Sequence, residues 1–369
     1  MSISPSSHVL IERGVSVGLI TLNRPEAMNA LTLDMIVSLT EALLKWRDDP
    51  TVALVALRGS NKTGAVGHPQ RWFGHFCAGG DIRFFHDAAR SDDAALEDFF
   101  TREYTLNHLI QSYGKPIVAF MDGVVMGGGM GLCQGIALRL VTEKTKMAMP
   151  ETKIGLFPDV GGGYFLSRCP GAVGEYLALT GQVIGADAAI AYGLADRRIE
   201  SAAQAGIWQH LAHTPFDSGA QALASLPEPA AVKGPLLHEA LQAAFSQTTV
   251  PQILAALDAS SDEVCRQTAA ALRERSPLML YVTLEQIRRA RHMSLADELR
   301  MERDLVWRCF HQRPVTDSET VEGIRALAVD KDHQPVWKPA DVGSVDPAEV
   351  AQFFVSPWAP EAHPLRHLR

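Results

Sequence analysis

The sequence predicts an α/β layered fold that passes into a mostly helical C-terminal region, and three observations carry that expectation. From residue 8 to about 200, short apolar runs bounded by Gly, Pro and Asn alternate with segments of helical periodicity. From 236 onward every strong pattern is helical. Between them, FDSGAQALASLPEPAAVKGP is rich in Pro, Gly, Ser and Ala and holds no strand run. The chain therefore divides on sequence into a core at 1–215, a linker-like segment at 216–235 and a helical region at 236–369. Its 369 residues are enough for about two domains.

The elements follow in order. HVLIERGVSVGLITL, residues 8–22, reads as two strands with a turn at Arg13-Gly14. Pro25 and the polar NRPEAMNALT break the pattern, after which Met35, Leu39, Ala42, Leu43 and Trp46 recur at helical spacing. TVALVALR is nearly continuous in its apolar character, as a strand covered on both faces requires. A Gly-rich loop containing GAVGHPQRWFGH then leads through Trp72–Cys77 to Ala78-Gly79-Gly80-Asp81. Residues 95–113 return to helical periodicity, and Ile117–Phe120 reads as a strand introduced by Lys115-Pro116. Gly127–Gly129 then make a tight turn whose free N–H groups open a helix. Beyond 160, Tyr164–Arg168, Gly174–Thr180 and Ala186–Tyr192 read as short helices. MSLADELRMERDLVWRCF begins with Ser and an acidic turn and alternates charge, as a surface helix does, and WAPEAHPLRHLR is expected to trail loosely.

Composition removes several function classes. With 34 Lys+Arg against 42 Asp+Glu the net charge is −8, which excludes a general nucleic-acid footprint. Cys77, Cys133, Cys169, Cys265 and Cys309 are odd in number and widely spaced, against a disulfide scaffold or a structural zinc site and in favour of a reducing compartment. No segment is long and apolar enough to span a bilayer, and the N-terminus lacks an import pattern, so the expected location is cytoplasmic. There is no G-x-S-x-G, phosphate loop, G-x-G-x-x-G or H-E-x-x-H, and His68, His75 and His86 lack metal spacing.

The chemistry concentrates instead in two glycine turns and two loop carboxylates. A backbone N–H without a neighbouring Cβ reaches a substrate oxygen closely, and an oxyanion hole takes two such donors. The turns at 78–81 and 127–129 supply candidates. Glu151 and Asp159, each following a proline, supply an acid/base pair. Glu103 stands beside Tyr104 on a helix, where a glutamate is ordinarily solvated, and Cys77, between Phe76 and Ala78, reads as buried filler rather than a nucleophile.

NRPEAMNALT, FCAGGDI, KPIVAFMDGVVMGGGMGL and MPETKIGLFPDVGGGYFL, in this order and spacing, resemble the crotonase (enoyl-CoA hydratase/isomerase) superfamily. PETKIGLFPDVGGGYFL, followed by VEGIRALAVDKD and WKPAD, is similar to its 3-hydroxyisobutyryl-CoA hydrolase subgroup, and the likeness runs from about residue 8 to about 355. The resemblance implies a ββα spiral forming two roughly perpendicular sheets, with 1–215 as the acyl-CoA-binding catalytic core. Gly80 and Gly128 become the thioester's backbone donors, and Glu151 and Asp159 take the acidic positions. Glu103, in FTREYTLN, becomes a substrate contact, Ala78 and Asp81 flank the donor turn at the substrate, and Arg24 faces a CoA phosphate. The implied reaction is hydrolysis of a short branched 3-hydroxyacyl-CoA. It needs no metal and no cofactor, since coenzyme A belongs to the substrate, and relatives often form homo-oligomers. Rival readings are enoyl-CoA hydration or isomerisation and a non-catalytic acyl-CoA-binding protein. Two departures stand out: Gly131 occupies the place where hydratases resemble a pattern with a first glutamate, and the insertion GAVGHPQRWFGH is long.

Overall fold

The computed structural model describes residues 7–62, 73–228, 234 and 236–369, so most of the insertion at 64–75 and part of the 216–235 segment lie outside the described residues. The chain gathers into two compact units, each assembled from three stretches. The first comprises Met1–Gly80, Thr105–Met147 and Val183–Pro235, and the second Asp81–Tyr104, Ala148–Gln182 and Leu236–Arg369. Contacts therefore divide the chain elsewhere than at a single linker, because the stretches bearing Glu103, Glu151 and Asp159 pack with the C-terminal helices.

The first unit is built on a six-stranded sheet. Its strands are β1 (Val9–Arg13), β2 (Val17–Leu22), β3 (Leu54–Gly59), β4 (Ile117–Met121), β6 (Leu138–Val141) and β8 (Arg197–Arg198), adjacent in that order. β1 runs antiparallel to β2 and the remaining pairs are parallel, with Ile20 opposite Leu57 and Ala119 opposite Arg139. β2, β3 and β4 are buried at every position, the outcome their unbroken apolar runs require. Gly18 has a packing reason: a Cβ there would lie 2.4 Å from a ring carbon of Trp46, so its absence lets helix Leu33–Arg47 settle on β2. Val17, Leu54, Val118 and Leu140 form a core with Trp208 and Leu211. A second, two-stranded sheet pairs β5 (Val124–Met126) with β7 (Lys146–Ala148).

The second unit is helical. Phe245, Ile253, Leu257, Cys265, Leu272 and Leu280 share one of its cores. Two expectations are corrected here. Helix Leu295–His311 is not a surface helix, because Glu298, Glu302 and Arg303 are fully buried along with Leu299, Leu305 and Val306. Among its buried charges, Arg303 pairs with Glu97 and donates from Nε to Thr101 Oγ1 at 3.1 Å. Nor does the C-terminus trail: Leu365 and Leu368 are buried, and Arg300 Nη1 donates to the Leu368 carbonyl at 3.0 Å. No helix among the described residues is long and apolar enough to cross a membrane.

Candidate active site

In the first unit the two glycine turns lie side by side. The Cys77 N–H donates to Val124 O at 3.0 Å and the Met126 N–H donates to Cys77 O at 3.0 Å, a parallel bridge that sends both chains in the same direction into their turns. Gly79 then turns at φ 103° and Gly127 at φ 49°, the left-handed region that favours glycine. A Cβ on Gly79 would stand 3.5 Å from the Gly128 nitrogen, which brings the first turn against the start of helix Gly128–Gln134. Leu31 bridges across Gly80 and takes the Gly79 carbonyl, so the Gly80 N–H faces away from that pairing. Among the described residues neither the Gly80 nor the Gly128 N–H donates to a protein acceptor. Two adjacent amides without protein partners are what an oxyanion would meet.

The other first-unit candidates are placed as follows. Arg24 is half-buried, and its Nη1 donates to Ala30 O at 3.1 Å within its own loop. That loop is held by Asn29, whose Oδ1 accepts from the Arg24 N–H at 2.8 Å and whose Nδ2 donates to His75 O at 2.6 Å. The Ala78 N–H is occupied by Met28 O at 3.1 Å. Asp81, at the boundary of the second unit, caps helix Ile82–Ser91 by accepting from the Phe84 N–H. Cys77 is fully buried and the four other cysteines are buried as well, none of them in a disulfide.

The second unit brings the three candidate carboxyls together. Glu103 is 2%, Glu151 6% and Asp159 6% exposed. Glu103 is thus not the solvated helix residue its local pattern suggests. Glu151 begins the 3-10 turn Glu151–Ile154, closed by Gly155 at φ 67°, where a Cβ would strike Glu319 O at 2.2 Å. Asp159 accepts from the Tyr104 hydroxyl at 2.8 Å. One oxygen each of Glu103 and Glu151 has no protein partner. Burial, and then the charge of Asp159, hold Glu103 and Glu151 well above the usual carboxylate range. Burial lifts Asp159 to about 6, with the Tyr104 hydroxyl pulling it back. Desolvation and mutual repulsion raise carboxyl pKa values, the direction that general acid–base catalysis at neutral pH requires.

Sequence reasoning missed Tyr104, Gln286, Glu298 and Glu302. The signal in the sequence was Glu298 and Glu302 one turn apart on an otherwise apolar helix face, concealed by the surrounding charges. Burial pushes Glu298 up to about 7, against a hydrogen bond to Glu302 that draws it down. Glu302 is held well above its ordinary range by burial and then by Glu298. A raised carboxyl stabilises the fold fully below its unfolded pKa of 4.5, and that contribution is lost as pH rises through about 7. Glu298→Gln is therefore expected to raise Tm at pH 8 by about 2–4 °C for each ~1 kcal/mol recovered. At pH 4, where Glu298 is protonated anyway, it leaves Tm nearly unchanged. Thermal scans at the two pH values check this.

The sequence profile of the Enoyl-CoA hydratase/isomerase family matches residues 17–354. The chain is 37% identical over 365 residues to 3-hydroxyisobutyryl-CoA hydrolase, mitochondrial, of Danio rerio, covering 96% of this chain and 91% of that protein. It is 36% identical over 362 residues to the Rattus norvegicus protein of the same name, covering 95% and 89%. Among solved structures, a carnitinyl-CoA dehydratase from Mycobacterium thermoresistibile superposes with a TM-score of 0.83 at 37% identity, covering 95% of this chain and 97% of that one. The fold is therefore the crotonase fold with additional C-terminal helices, and the chain belongs to the enoyl-CoA hydratase/isomerase family.

Proposed function

We propose that this protein hydrolyses 3-hydroxyisobutyryl-CoA to 3-hydroxyisobutyrate and free CoA, a step of the kind valine breakdown requires. The observation that carries the reading is the buried trio Glu103, Glu151 and Asp159, in a chain whose curated relatives named for this hydrolysis match it almost end to end. In this reading the thioester oxygen accepts from the Gly80 and Gly128 N–H groups as negative charge develops on it. Glu151, once ionised, either attacks the carbonyl carbon to form an anhydride or takes a proton from the attacking water. The carbon–sulfur bond breaks, and the departing sulfur takes up a proton to leave as the CoA thiol. On the anhydride route a water molecule then cleaves the acyl–Glu151 bond, releasing the hydroxy acid and restoring the Glu151 carboxyl. Asp159, oriented by Tyr104, accepts a hydrogen bond from the substrate's 3-hydroxyl and so favours hydroxylated acyl chains. Arg24 is assigned to a CoA phosphate.

A second reading is hydration of an enoyl-CoA, the kind of reaction for which the dehydratase that superposes on this chain is named. Against it, Gly131 lies buried within helix Gly128–Gln134 and offers no carboxyl where hydratases resemble a pattern with their first glutamate. A panel of acyl-CoA thioesters scored for thiol release, with crotonyl-CoA scored in parallel for loss of its double bond, separates the two. The expected result is rapid CoA release from 3-hydroxyisobutyryl-CoA and little hydration of crotonyl-CoA. The reverse pattern overturns the hydrolase reading, and absence of both activities leaves a non-catalytic acyl-CoA binder. A single turnover in oxygen-18 water then distinguishes the two routes, since label found in Glu151 requires the anhydride.

A further inference from the structure

The loop that presents Asp159 adopts a backbone its own sequence resists. Val160, a β-branched residue, sits at φ 56° and Gly161 follows at φ 86°. A left-handed valine persists only where its surroundings over-determine it. Here the surroundings are two buried side chains from the C-terminal helices. Glu302 Oε2 accepts from the Gly161 N–H at 2.8 Å and its Oε1 from the Gly163 N–H at 3.2 Å. Gln286 Nε2 donates to Pro158 O at 2.7 Å and to Glu302 Oε1 at 3.0 Å, closing the clasp on the other side of Asp159.

The chemistry of the clasp is specific. A carboxylate has two acceptor oxygens and takes one amide on each, which a glutamine side chain at the same place does not. Glu302 is fully buried and forms no ion pair among the described residues. Its neighbour Glu298, also fully buried, faces Glu302 and finds no partner beyond the members of the clasp themselves. Two facing carboxyls in a dry interior bond to each other only by sharing a proton. The run of glycines after Asp159 fits this arrangement, since a Cβ on Gly163 would lie 2.3 Å from Glu298 Oε1 and 3.0 Å from Gln286 Nε2.

The geometry points to Glu302 as a positioning residue of the proposed hydrolysis, fixing the Asp159 loop through the Gly161 and Gly163 amides and Gln286 while sharing a proton with Glu298. The assignment rests on the hydrolase reading for its kinetic readout. The titratable and charged groups around Asp159 and the pair are Glu103, Tyr104, Glu151, Cys309 and Arg168. Arg168 is the one cation among them, its guanidinium stacked 3.5 Å from the Tyr164 ring.

The test compares wild type, Glu302→Gln and Glu298→Gln in kcat, KM and the pH profile of kcat. Wild-type turnover of 3-hydroxyisobutyryl-CoA is measured first, so failure there counts against the hydrolase reading and not against the clasp. Glu302→Gln is expected to lower kcat by about 10-fold or more with KM within about 2-fold, because a displaced catalytic group loses rate steeply with distance. Its acid limb moves to lower pH, since burial is what lifts Asp159 and a loop released from its clasp leaves that carboxyl less desolvated. Glu298→Gln keeps a donor for Glu302, so its loss in kcat is several-fold smaller. If Glu302→Gln does not fold, Gln286→Met removes the clasp's bond to Pro158 O and is expected to lower kcat about 3- to 10-fold at constant KM. A Glu302→Gln or Gln286→Met protein with wild-type kcat and pH profile and only a lower Tm overturns the assignment, as do equal losses from Glu302→Gln and Glu298→Gln.

Discussion

Glu151→Gln is expected to lower kcat for 3-hydroxyisobutyryl-CoA by about 10²–10⁴ while the protein remains folded and CoA thioester still binds. The substitution keeps the shape of the side chain and removes its capacity to accept a proton or to attack carbon. Glu151 is buried beside Asp159, so replacing a costly carboxyl by an amide should also raise Tm at neutral pH. Lost turnover with gained stability is the signature of a carboxyl kept for chemistry, and steady-state kinetics with a thermal scan on one preparation read both. A near-wild-type kcat removes Glu151 from the mechanism. The wild-type pH profile supplies a companion result. Asp159, with its pKa near 6, is ionised above that value, so kcat should fall as pH drops through about 6. Asp159→Asn should move that limb to lower pH without abolishing it, because Glu151 must still ionise and the neighbouring charge that raises it is gone.

Gly129→Ala is the second large effect. A methyl there would lie 2.3 Å from Cys77 O and 2.9 Å from Cys77 Cβ, and the backbone oxygen cannot yield without moving the strand that carries the other turn. The cost in stability is of the order of 1–3 kcal/mol, as for overpacking generally. The larger consequence is kinetic. Pushing residues 77–80 away from 127–129 separates the Gly80 and Gly128 amides, and loss of one oxyanion donor lowers kcat by roughly 10²–10³. Gly206→Ala is the control, because no atom lies within 4 Å of its Cβ position and it sits inside helix Gln204–His213. There the change should stabilise by about 0.4–1 kcal/mol and leave turnover unaffected.

Legibility in the sequence followed the kind of interaction at stake. β2 to β4 could be read because a parallel sheet covered on both faces needs unbroken apolar strands, and the helix at Leu33–Arg47 because its buried face repeats with the helical period. The glycine turns were legible because a positive φ and a close backbone approach leave few other residue choices. Tyr104, Gln286 and Glu302 were not, because what makes them matter is burial against segments 55, 128 and 141 positions away in the chain. Local pattern describes a charged helix face as solvated, and only packing shows that Glu298, Glu302 and Arg303 are inside. The same rule misplaced Glu103 and the C-terminal segment, whose Leu365 and Leu368 are anchored from a helix some 65 residues earlier in the chain.

The seclusion of all five thiols bears on how such a protein coexists with what it makes. A catalyst that discharges a free sulfhydryl at every turnover works in a rising concentration of an exchange partner. Accessible cysteines would be drawn into mixed disulfides with it as soon as any oxidant is present. With all five cysteines buried, that fouling has little place to begin. Ellman's reagent should accordingly find close to no reactive groups on the native chain and all five after unfolding, so a colour assay for released CoA can run continuously without consuming the protein that produces it.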